Sequence, residues 1–231
     1  MLFLYITSIL SDDDEKRLPE LVGPELKRKK ESLQTFLVIF GYHECGACKA
    51  VNAGLFDQVQ LNENKLEVYF YDCHKEQNKM VCGTAYDIKS YPTFYLMNSN
   101  AIKKKPLKYE SNNYSNEAIY QWGVDNMKKP FILSPTYTAL ADEVTKHAEY
   151  MLIISQEKEI PAYIYVFARK YSYMDIIALE TTDISEVQKN EVFGSSVQDI
   201  DMNIIVCKHE CIPFKGRAED PELLDEFMNH V

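Results

Sequence analysis

Short apolar runs separated by charged segments characterise the first half of the chain. Three runs are rich in β-branched and aromatic residues, which predicts buried strands at 35–40, 66–71 and 93–97. Segments of helical character lie around and between these runs, at 24–34, 48–60, 74–87 and 116–128. A hairpin is expected to join the third strand to a short partner at 107–109. This order predicts a mixed sheet with helices on both faces.

The second half of the chain repeats this order of elements. Strands are predicted at 150–155, 175–180, 203–207 and 211–214. Helices are predicted at 138–149, 157–173, 184–193 and 221–230. The stretch between the halves, KKPFILSPTY at 128–137, contains two prolines and predicts a domain boundary. The expected fold class is therefore α/β, with two domains of one architecture at 12–130 and 135–231.

The composition is that of a globular protein with an acidic surface. Of 231 residues, 46% are hydrophobic and 26% are charged, which is enough to bury two cores. The 16 tyrosines and 11 phenylalanines disfavour disorder, because such side chains bury much apolar area. The formal net charge is −10, whereas sequence-independent nucleic-acid binding needs a basic surface. We therefore expect no nucleic-acid partner.

The first ten residues, MLFLYITSIL, are apolar except for Thr7 and Ser8. They are too few to cross a bilayer as a helix, which takes about 20 residues. They have the length of the apolar region of a signal peptide, although no basic segment precedes them. We expect residues 1–11 to be a signal peptide, and the alternative is the first β-strand of a cytosolic protein. No other window in the sequence approaches a membrane span, so none is expected.

The cysteines form three pairs that are close in sequence: Cys45/Cys48, Cys73/Cys82 and Cys207/Cys211. Such near pairs suit an oxidising compartment, although six cysteines are too few for a disulfide scaffold in a chain of this length. Cys45 and Cys48 follow the first predicted strand and begin a helix, whose N-terminus stabilises a thiolate. Cys48 lies one turn further on, where it can close or resolve a disulfide. The spacing alone leaves open a structural disulfide or a zinc site that includes His43.

Three motifs in this order resemble a thioredoxin-like domain of the protein disulfide isomerase family. CGACK at 45–49 resembles the family's C-G-H-C-K active site, and YDC at 71–73 resembles its V-D-C segment. YDIKSYPT at 86–93 resembles the family segment that ends in Y-P-T, and the likeness covers about residues 20–128. The second half, 135–231, is similar to the redox-inactive thioredoxin-like domains that follow catalytic ones. The resemblance thus implies two tandem thioredoxin-like domains, each with a mixed central sheet flanked by helices.

The resemblance implies a thiol–disulfide oxidoreductase or isomerase of the endoplasmic reticulum lumen, with a secreted protein as the alternative. Cys45 is then the nucleophile and Cys48 the resolving cysteine. Unfolded or disulfide-bonded secretory proteins are the expected substrates. Glutathione or a protein thiol is the expected redox partner, and neither a metal nor another cofactor is expected. A slow or non-catalytic binding module for unfolded chains is the alternative function.

The resemblance also implies which residues surround the cysteines. The peptide bond before Pro92 is expected to be cis, and its loop is expected to face Cys45. The expected substrate-binding residues are Tyr91, Pro92, Gly46 and Ala47. Cys73 and Cys82 are expected to form a structural disulfide, with two free thiols as the alternative. Cys207 and Cys211 flank a predicted hairpin that they could bridge, but they are not placed like a catalytic pair.

Three departures from the family pattern predict altered redox chemistry. Glu44 replaces the usual tryptophan, and its carboxylate is expected to raise the pKa of the Cys45 thiol. Ala47 replaces the histidine that stabilises the thiolate in oxidising family members, which predicts a more reducing pair. Ile39 stands where the family buries a proton-transferring acid, which predicts slower exchange. His43 could partly replace that acid, and the alternative is a solvated loop histidine.

Overall fold

The computed structural model describes residues 16–32, 34–99, 106–157, 159–198 and 200–231. The expected signal peptide, 1–11, lies outside these residues. The chain divides after Lys128 into two compact units. Among the described residues, no helix combines the length and the apolar character needed to cross a membrane.

The first unit is built on a four-stranded mixed sheet with the strand order β2-β1-β3-β4. Its elements are α1 (Gly23–Glu31), β1 (Phe36–Gly41), α2 (Gly46–Leu61), β2 (Glu67–Asp72), β3 (Thr93–Met97), β4 (Leu107–Lys108) and α3 (Asn116–Asn126). Strand β1 pairs in parallel with β2 and antiparallel with β3. Every residue of β1 is buried, as its uninterrupted apolar run predicts. The carboxyl ends of β1 and β2 therefore meet at one edge of the sheet.

The segment 74–87, predicted to be a helix, forms irregular turns instead. The segment contains a 3-10 turn, Glu76–Asn78, and a π-helical turn, Val81–Ala85. The fully buried Asn78 holds this segment by tertiary contacts. Its side-chain amide donates to the carbonyl of Asp72 at 2.7 Å and its Oδ1 accepts from the N–H of Gly23 at 3.0 Å. These bonds favour a compact irregular path over a regular helix.

The second unit is built on a five-stranded mixed sheet with the strand order β5-β7-β6-β8-β9. Its elements are β5 (Ile132–Ser134), α4 (Tyr137–Val144), β6 (Tyr150–Ser155), α5 (Ala162–Lys170), β7 (Asp175–Glu180), α6 (Ser185–Gln188), β8 (Met202–Cys207), β9 (Cys211–Pro213) and α7 (Pro221–His230). Strands β5, β7 and β6 are parallel, whereas β8 and β9 form an antiparallel hairpin beside β6. The fold class, two thioredoxin-like α/β domains with mixed sheets flanked by helices, is confirmed.

Three helices of the second unit are shorter than predicted: α4 ends at Val144 and not at 149, α5 is limited to Ala162–Lys170 within 157–173, and α6 is also shorter. Strand β5 lies inside the stretch expected to be a boundary, and the division between the two units falls after Lys128. Three residues between two prolines are too short to show a strand pattern. The predicted helix at 184–193 ends at Gln188. There Oδ1 of Asn190 accepts from the N–H groups of Val192 and Phe193, which competes with helix formation.

Candidate functional site

Cys45 lies between the end of β1 and the first turn of α2. It is the N-cap of α2, and its Sγ accepts a hydrogen bond of 3.1 Å from the N–H of Cys48. Its carbonyl accepts the first helical bond, from the N–H of Lys49 at 3.0 Å. Cys45 and Cys48 form a disulfide with their Cα atoms 5.2 Å apart. The strand-to-helix placement predicted for this pair is therefore the observed one.

The two cysteines differ in exposure. Cys45 is partly exposed, whereas Cys48 is fully buried. A Cβ atom added to Gly41 would lie 3.1 Å from the Sγ of Cys48 and 3.0 Å from the ring of Phe70. The sulfur of Cys48 thus lies close to the backbone of Gly41. An incoming sulfur atom can approach Cys45 from solvent, but it cannot approach Cys48 directly.

The two residues between the cysteines leave the surface above the disulfide open. Gly46 and Ala47 are both exposed, and no atom lies within 4 Å of a Cβ built on Gly46. Glu44 is also exposed, so water screens the effect of its carboxylate on Cys45. The first turn of α2 therefore presents small side chains and free space to an approaching chain.

The loop that contains Pro92 adjoins the loop before Cys45. The Tyr91–Pro92 peptide bond is cis, and the ring of Tyr91 packs edge-on against Tyr42 with 5.3 Å between centroids. The ring of Tyr42 stacks on His74 at 4.0 Å, and His74 lies 6.1 Å from Tyr91. We call Tyr42, His74 and Tyr91 the aromatic cluster. It joins the expected substrate-binding loop to the C-x-x-C loop.

Tyr42 and His74 are site residues that the sequence does not single out. Tyr42 directly follows β1, and His74 lies two residues after β2. The two strands are parallel, and Gly41 pairs with Asp72 at their carboxyl ends. Residues that follow neighbouring parallel strands meet at one sheet edge, and this edge is a common binding position in α/β folds. This rule could have identified Tyr42 and His74 from the sequence, because each follows one of the two predicted parallel strands.

Cys73 and Cys82 form a disulfide behind this edge. Their Cα atoms are 5.8 Å apart, and each residue is only 3% exposed. The N–H of Cys73 donates to the carbonyl of Gly41 at 2.8 Å. This bond and the disulfide tie the segment after β2 to the strand that leads into the C-x-x-C loop. This buried disulfide is therefore placed to stabilise the backbone next to the C-x-x-C loop.

His43, two residues before Cys45, lies next to two carboxylates. The Nε2 of His43 lies 3.3 Å from Oε2 of Glu20 and 3.5 Å from Oδ2 of Asp72. Lys75 places its Nζ 2.6 Å from the other oxygen of Glu20. Asp72 is the only buried acidic residue among those described in the first unit. His43 thus contacts two carboxylates and is not surrounded by solvent alone. Ile39, at the position where the family buries an acid, is fully buried in β1.

Glu20, His43 and Asp72 are also the described residues that could hold a metal ion, since their ligand atoms lie within 4.8 Å of one another. The ammonium group of Lys75 already neutralises Glu20 from one side. The zinc site that the sequence leaves open would need Cys45 and Cys48 as thiolates. Both sulfurs are joined in a disulfide in this state, so neither is available as a thiolate ligand.

Comparison with known proteins agrees with the architecture of the first unit. Residues 25–122 match the family model described as Thioredoxin. No curated protein matches the chain in sequence.

Three solved structures are similar to this chain at low identity. The J-Trx1 fragment of ERdj5 is 18% identical over 48% of this chain and 52% of that chain, with a TM-score of 0.41. Human ERp44 in its zinc-bound form is 15% identical over 92% of this chain and 57% of that chain, with a TM-score of 0.39. The first two thioredoxin domains of Saccharomyces cerevisiae Eps1p are 10% identical over 93% of this chain and 98% of that chain, with a TM-score of 0.38. The chain thus spans about half the length of the ERdj5 fragment and of ERp44.

The geometry and the family match point to the same chemistry. A C-x-x-C disulfide stands at the N-terminus of a helix, with one sulfur accessible and the other buried. This arrangement supports thiol–disulfide oxidoreductase activity. The residues that match the family model described as Thioredoxin, 25–122, include this pair.

Proposed function

We propose that this chain is a thiol–disulfide oxidoreductase or isomerase that acts on secretory proteins through Cys45 and Cys48. The observation that carries the proposal is the difference in exposure within the pair. Cys45 is partly exposed at the N-terminus of α2, and Cys48 is fully buried behind it. The sulfur of Cys45 can react with a substrate, while the buried sulfur of Cys48 remains available to resolve the mixed disulfide.

The proposed exchange proceeds in two balanced steps. In the reduced protein, the thiolate of Cys45 attacks one sulfur of a substrate disulfide. The substrate S–S bond breaks, one substrate sulfur leaves as a thiolate, and the other is bonded to Cys45. Cys48, after losing its proton, then attacks Cys45 Sγ and releases the second substrate thiolate. The substrate gains two electrons and the protein pair is oxidised; the reverse sequence oxidises a substrate dithiol.

The helix raises the fraction of Cys45 that is present as the reactive thiolate. The N–H of Cys48 points at the Sγ of Cys45 at 3.1 Å, and the positive end of the helix dipole lies at the same position. Both favour the thiolate, which is the nucleophilic form. Glu44 opposes this effect only weakly, because its carboxylate is exposed. Proton transfer to and from Cys48 has no buried acid at Ile39, so we expect slow exchange.

The substrate is proposed to lie across the small residues of α2 and the loop that precedes β3. Gly46 and Ala47 leave free space above the disulfide. The loop with Tyr91 and Pro92 lies beside the C-x-x-C loop, because the ring of Tyr91 packs against that of Tyr42. The aromatic cluster offers ring faces to apolar side chains that flank a substrate cysteine. Unfolded or disulfide-bonded chains expose such side chains.

Glutathione or a protein thiol is the proposed partner that resets the pair. The proposed location is the endoplasmic reticulum lumen, with secretion as the alternative. Three disulfides in a chain of 231 residues favour an oxidising compartment. Mass spectrometry of the native N-terminus tests this location, because an intact Met1 argues against removal of a signal peptide.

A reductase assay tests the proposed activity. Reduction of a disulfide-bonded model peptide should be lost in Cys45→Ser and retained in a Cys73→Ala/Cys82→Ala variant that still folds. Equal activity of Cys45→Ser and the unaltered protein would reject the proposal. The second variant separates loss of chemistry at the C-x-x-C pair from loss of any disulfide.

The aromatic cluster favours a second candidate function, a binding module for unfolded chains. Tyr42 and Tyr91 are half-buried and His74 is exposed, so ring faces remain accessible beside the disulfide. Affinity for an unfolded peptide that persists in a Cys45→Ser/Cys48→Ser variant would favour this function. Affinity that is lost in Tyr42→Ala would place the binding at the cluster.

A further inference from the structure

The second unit contains a cavity beside its own disulfide. The cavity has a volume of about 320 Å³, at the lower end of the range for small-molecule sites. Cys207 and Cys211 both line it. The disulfide between these two residues therefore has a space next to it that a small molecule can enter.

The disulfide bridges two directly opposed residues of the β8–β9 hairpin. Cys207 pairs with Cys211 in the antiparallel register, and β9 is the edge strand of the sheet. Cys207 is 3% exposed, whereas Cys211 is partly exposed. The turn between them, residues 208–210, is exposed. Because Cys211 is the more exposed residue of the two, its sulfur is the expected point of attack.

Ionisable side chains line the same cavity. His147 places Nε2 3.2 Å from Glu143 Oε1 and Nδ1 2.8 Å from Asp175 Oδ2, and these two carboxylates, Glu143 first, raise its pKa. Lys208 and His209 lie on the wall formed by the turn, with Glu210 as an opposing charge. The Lys208 ammonium donates to the carbonyl oxygen of Val231 at 2.6 Å and brings one positive charge to this wall. A positive charge near a cysteine stabilises the thiolate that forms when a disulfide opens.

We infer that the Cys207–Cys211 disulfide is a second thiol-accessible redox site, opened by a low-molecular-weight thiol of the glutathione class that enters this cavity. The thiolate of the entering molecule attacks the Sγ of Cys211. The Cys207–Cys211 bond breaks, its electron pair leaves with Cys207 as a thiolate, and a mixed disulfide forms on Cys211. A second thiol then displaces Cys211 and leaves with the first as an external disulfide. The protein pair gains two electrons and becomes two thiols.

This site is independent of the proposed chemistry at Cys45 and Cys48. The second unit has no C-x-x-C sequence, and its cysteines are separated by three residues. Opening the bond would remove the covalent link between β8 and the edge strand β9 next to their turn and leave that end of the hairpin held by backbone pairing alone. The chain would then respond to its redox environment through the second unit as well.

Differential alkylation of the full chain tests the inference. The Cys45→Ser/Cys48→Ser variant removes the first site, so the two proposals fail or succeed separately. After incubation in a reducing glutathione buffer, mass spectrometry should find Cys207 and Cys211 alkylated while Cys73 and Cys82, each 3% exposed, stay bonded. Early samples should carry glutathione on Cys211. Equal protection of both pairs until the chain unfolds, or glutathione on Cys207 alone, overturns the inference.

Two matched substitutions test entry through the cavity. Ala148 lines the cavity and is exposed, so Ala148→Trp should fill the entrance without disturbing the core. Its neighbour Glu149 is exposed and does not line the cavity, which makes Glu149→Trp the control. Reduction of Cys207–Cys211 should be several-fold slower in Ala148→Trp and unchanged in Glu149→Trp, with equal circular dichroism spectra. Equal rates in the two variants would contradict entry through the cavity.

Discussion

The backbone N–H of Cys48 points at the Sγ of Cys45 across 3.1 Å. Cys45 is thus the N-cap of α2, and its sulfur occupies the position where a helix favours negative charge. Cys48 provides this donor from a fully buried position. From this difference in exposure we propose separate roles in exchange: Cys45 meets the substrate, and Cys48 resolves the mixed disulfide.

Replacing the buried cysteine should trap the substrate. In Cys48→Ser, Cys45 can still attack a substrate disulfide, but no second sulfur is present to resolve the product. We expect a mixed disulfide on Cys45 to accumulate, visible on non-reducing gels and assigned by mass spectrometry. Cys45→Ser is the control and should form no such species. Equal trapping in both variants would contradict the separate roles of the two cysteines.

A buried asparagine should contribute strongly to the stability of the first unit. Asn78→Ala removes the partners of the Gly23 N–H and the Asp72 carbonyl, so the free energy of unfolding should fall by about 1–3 kcal/mol. Asn62→Ala is the control, since its half-buried side chain makes one bond, to the carbonyl of Gln58. Denaturant unfolding measures both changes. A smaller loss in Asn78→Ala than in Asn62→Ala would contradict this role.

The main sheet strands are predictable from the sequence because each is a short, continuous apolar run. Strands β1 and β6 are buried along their whole length, and such strands need apolar residues at every position. Strand β5 escapes prediction because its three residues carry no period and two prolines surround it. The segment after Asp72 has a helix-like sequence but forms irregular turns. The hydrogen bonds of Asn78 that hold these turns leave no pattern in the sequence, so they could not be predicted.

The site is predictable where it depends on local sequence. Cys45, Cys48 and the cis bond before Pro92 each belong to a motif, and the structure has them at the expected elements. The contacts of His43 are not predictable in this way. Its partners Glu20 and Asp72 are 23 and 29 positions away, as the residue numbers show, and only the folded chain brings them together. Stacking of Tyr42 on His74 has the same origin.

The stability of the second unit should depend on pH through His147. Glu143 and Asp175 raise the pKa of His147 above its ordinary value of 6.5, so the charged form stabilises the fold. This stabilisation is fully present below the pKa of the unfolded chain and is lost as the pH rises through the higher pKa of the folded chain. The free energy of unfolding lost in His147→Gln should thus be larger at about pH 5.5 than at about pH 8.5.

Denaturant unfolding of both proteins across that range provides the measurement. His230→Gln is a control, because His230 is an exposed histidine at the end of α7. It should shift stability little at either pH. A loss in His147→Gln that grows toward high pH would contradict the expected direction of the pH dependence.

A histidine between the two cysteines should make the pair more oxidising. Ala47 is exposed in the first turn of α2, so Ala47→His places an imidazole near Cys45 without disturbing the core. A cationic ring there stabilises the thiolate of the reduced form. We expect the reduction potential to rise by about 30 mV or more, which is a tenfold change in the equilibrium constant. Ala50→His, at another exposed position of α2, should leave it unchanged.

The reduction potential of Cys45–Cys48 in glutathione buffers is the most direct test of the proposed exchange chemistry. Alkylation and mass spectrometry give the fraction of this pair that is reduced in each buffer. The partly exposed Cys45 predicts reversible exchange, and Ala47, in place of the family's histidine, predicts a potential nearer to about −270 mV than to about −180 mV. A pair that never equilibrates with glutathione would contradict an exchange site, and a potential near −180 mV would contradict its reducing character.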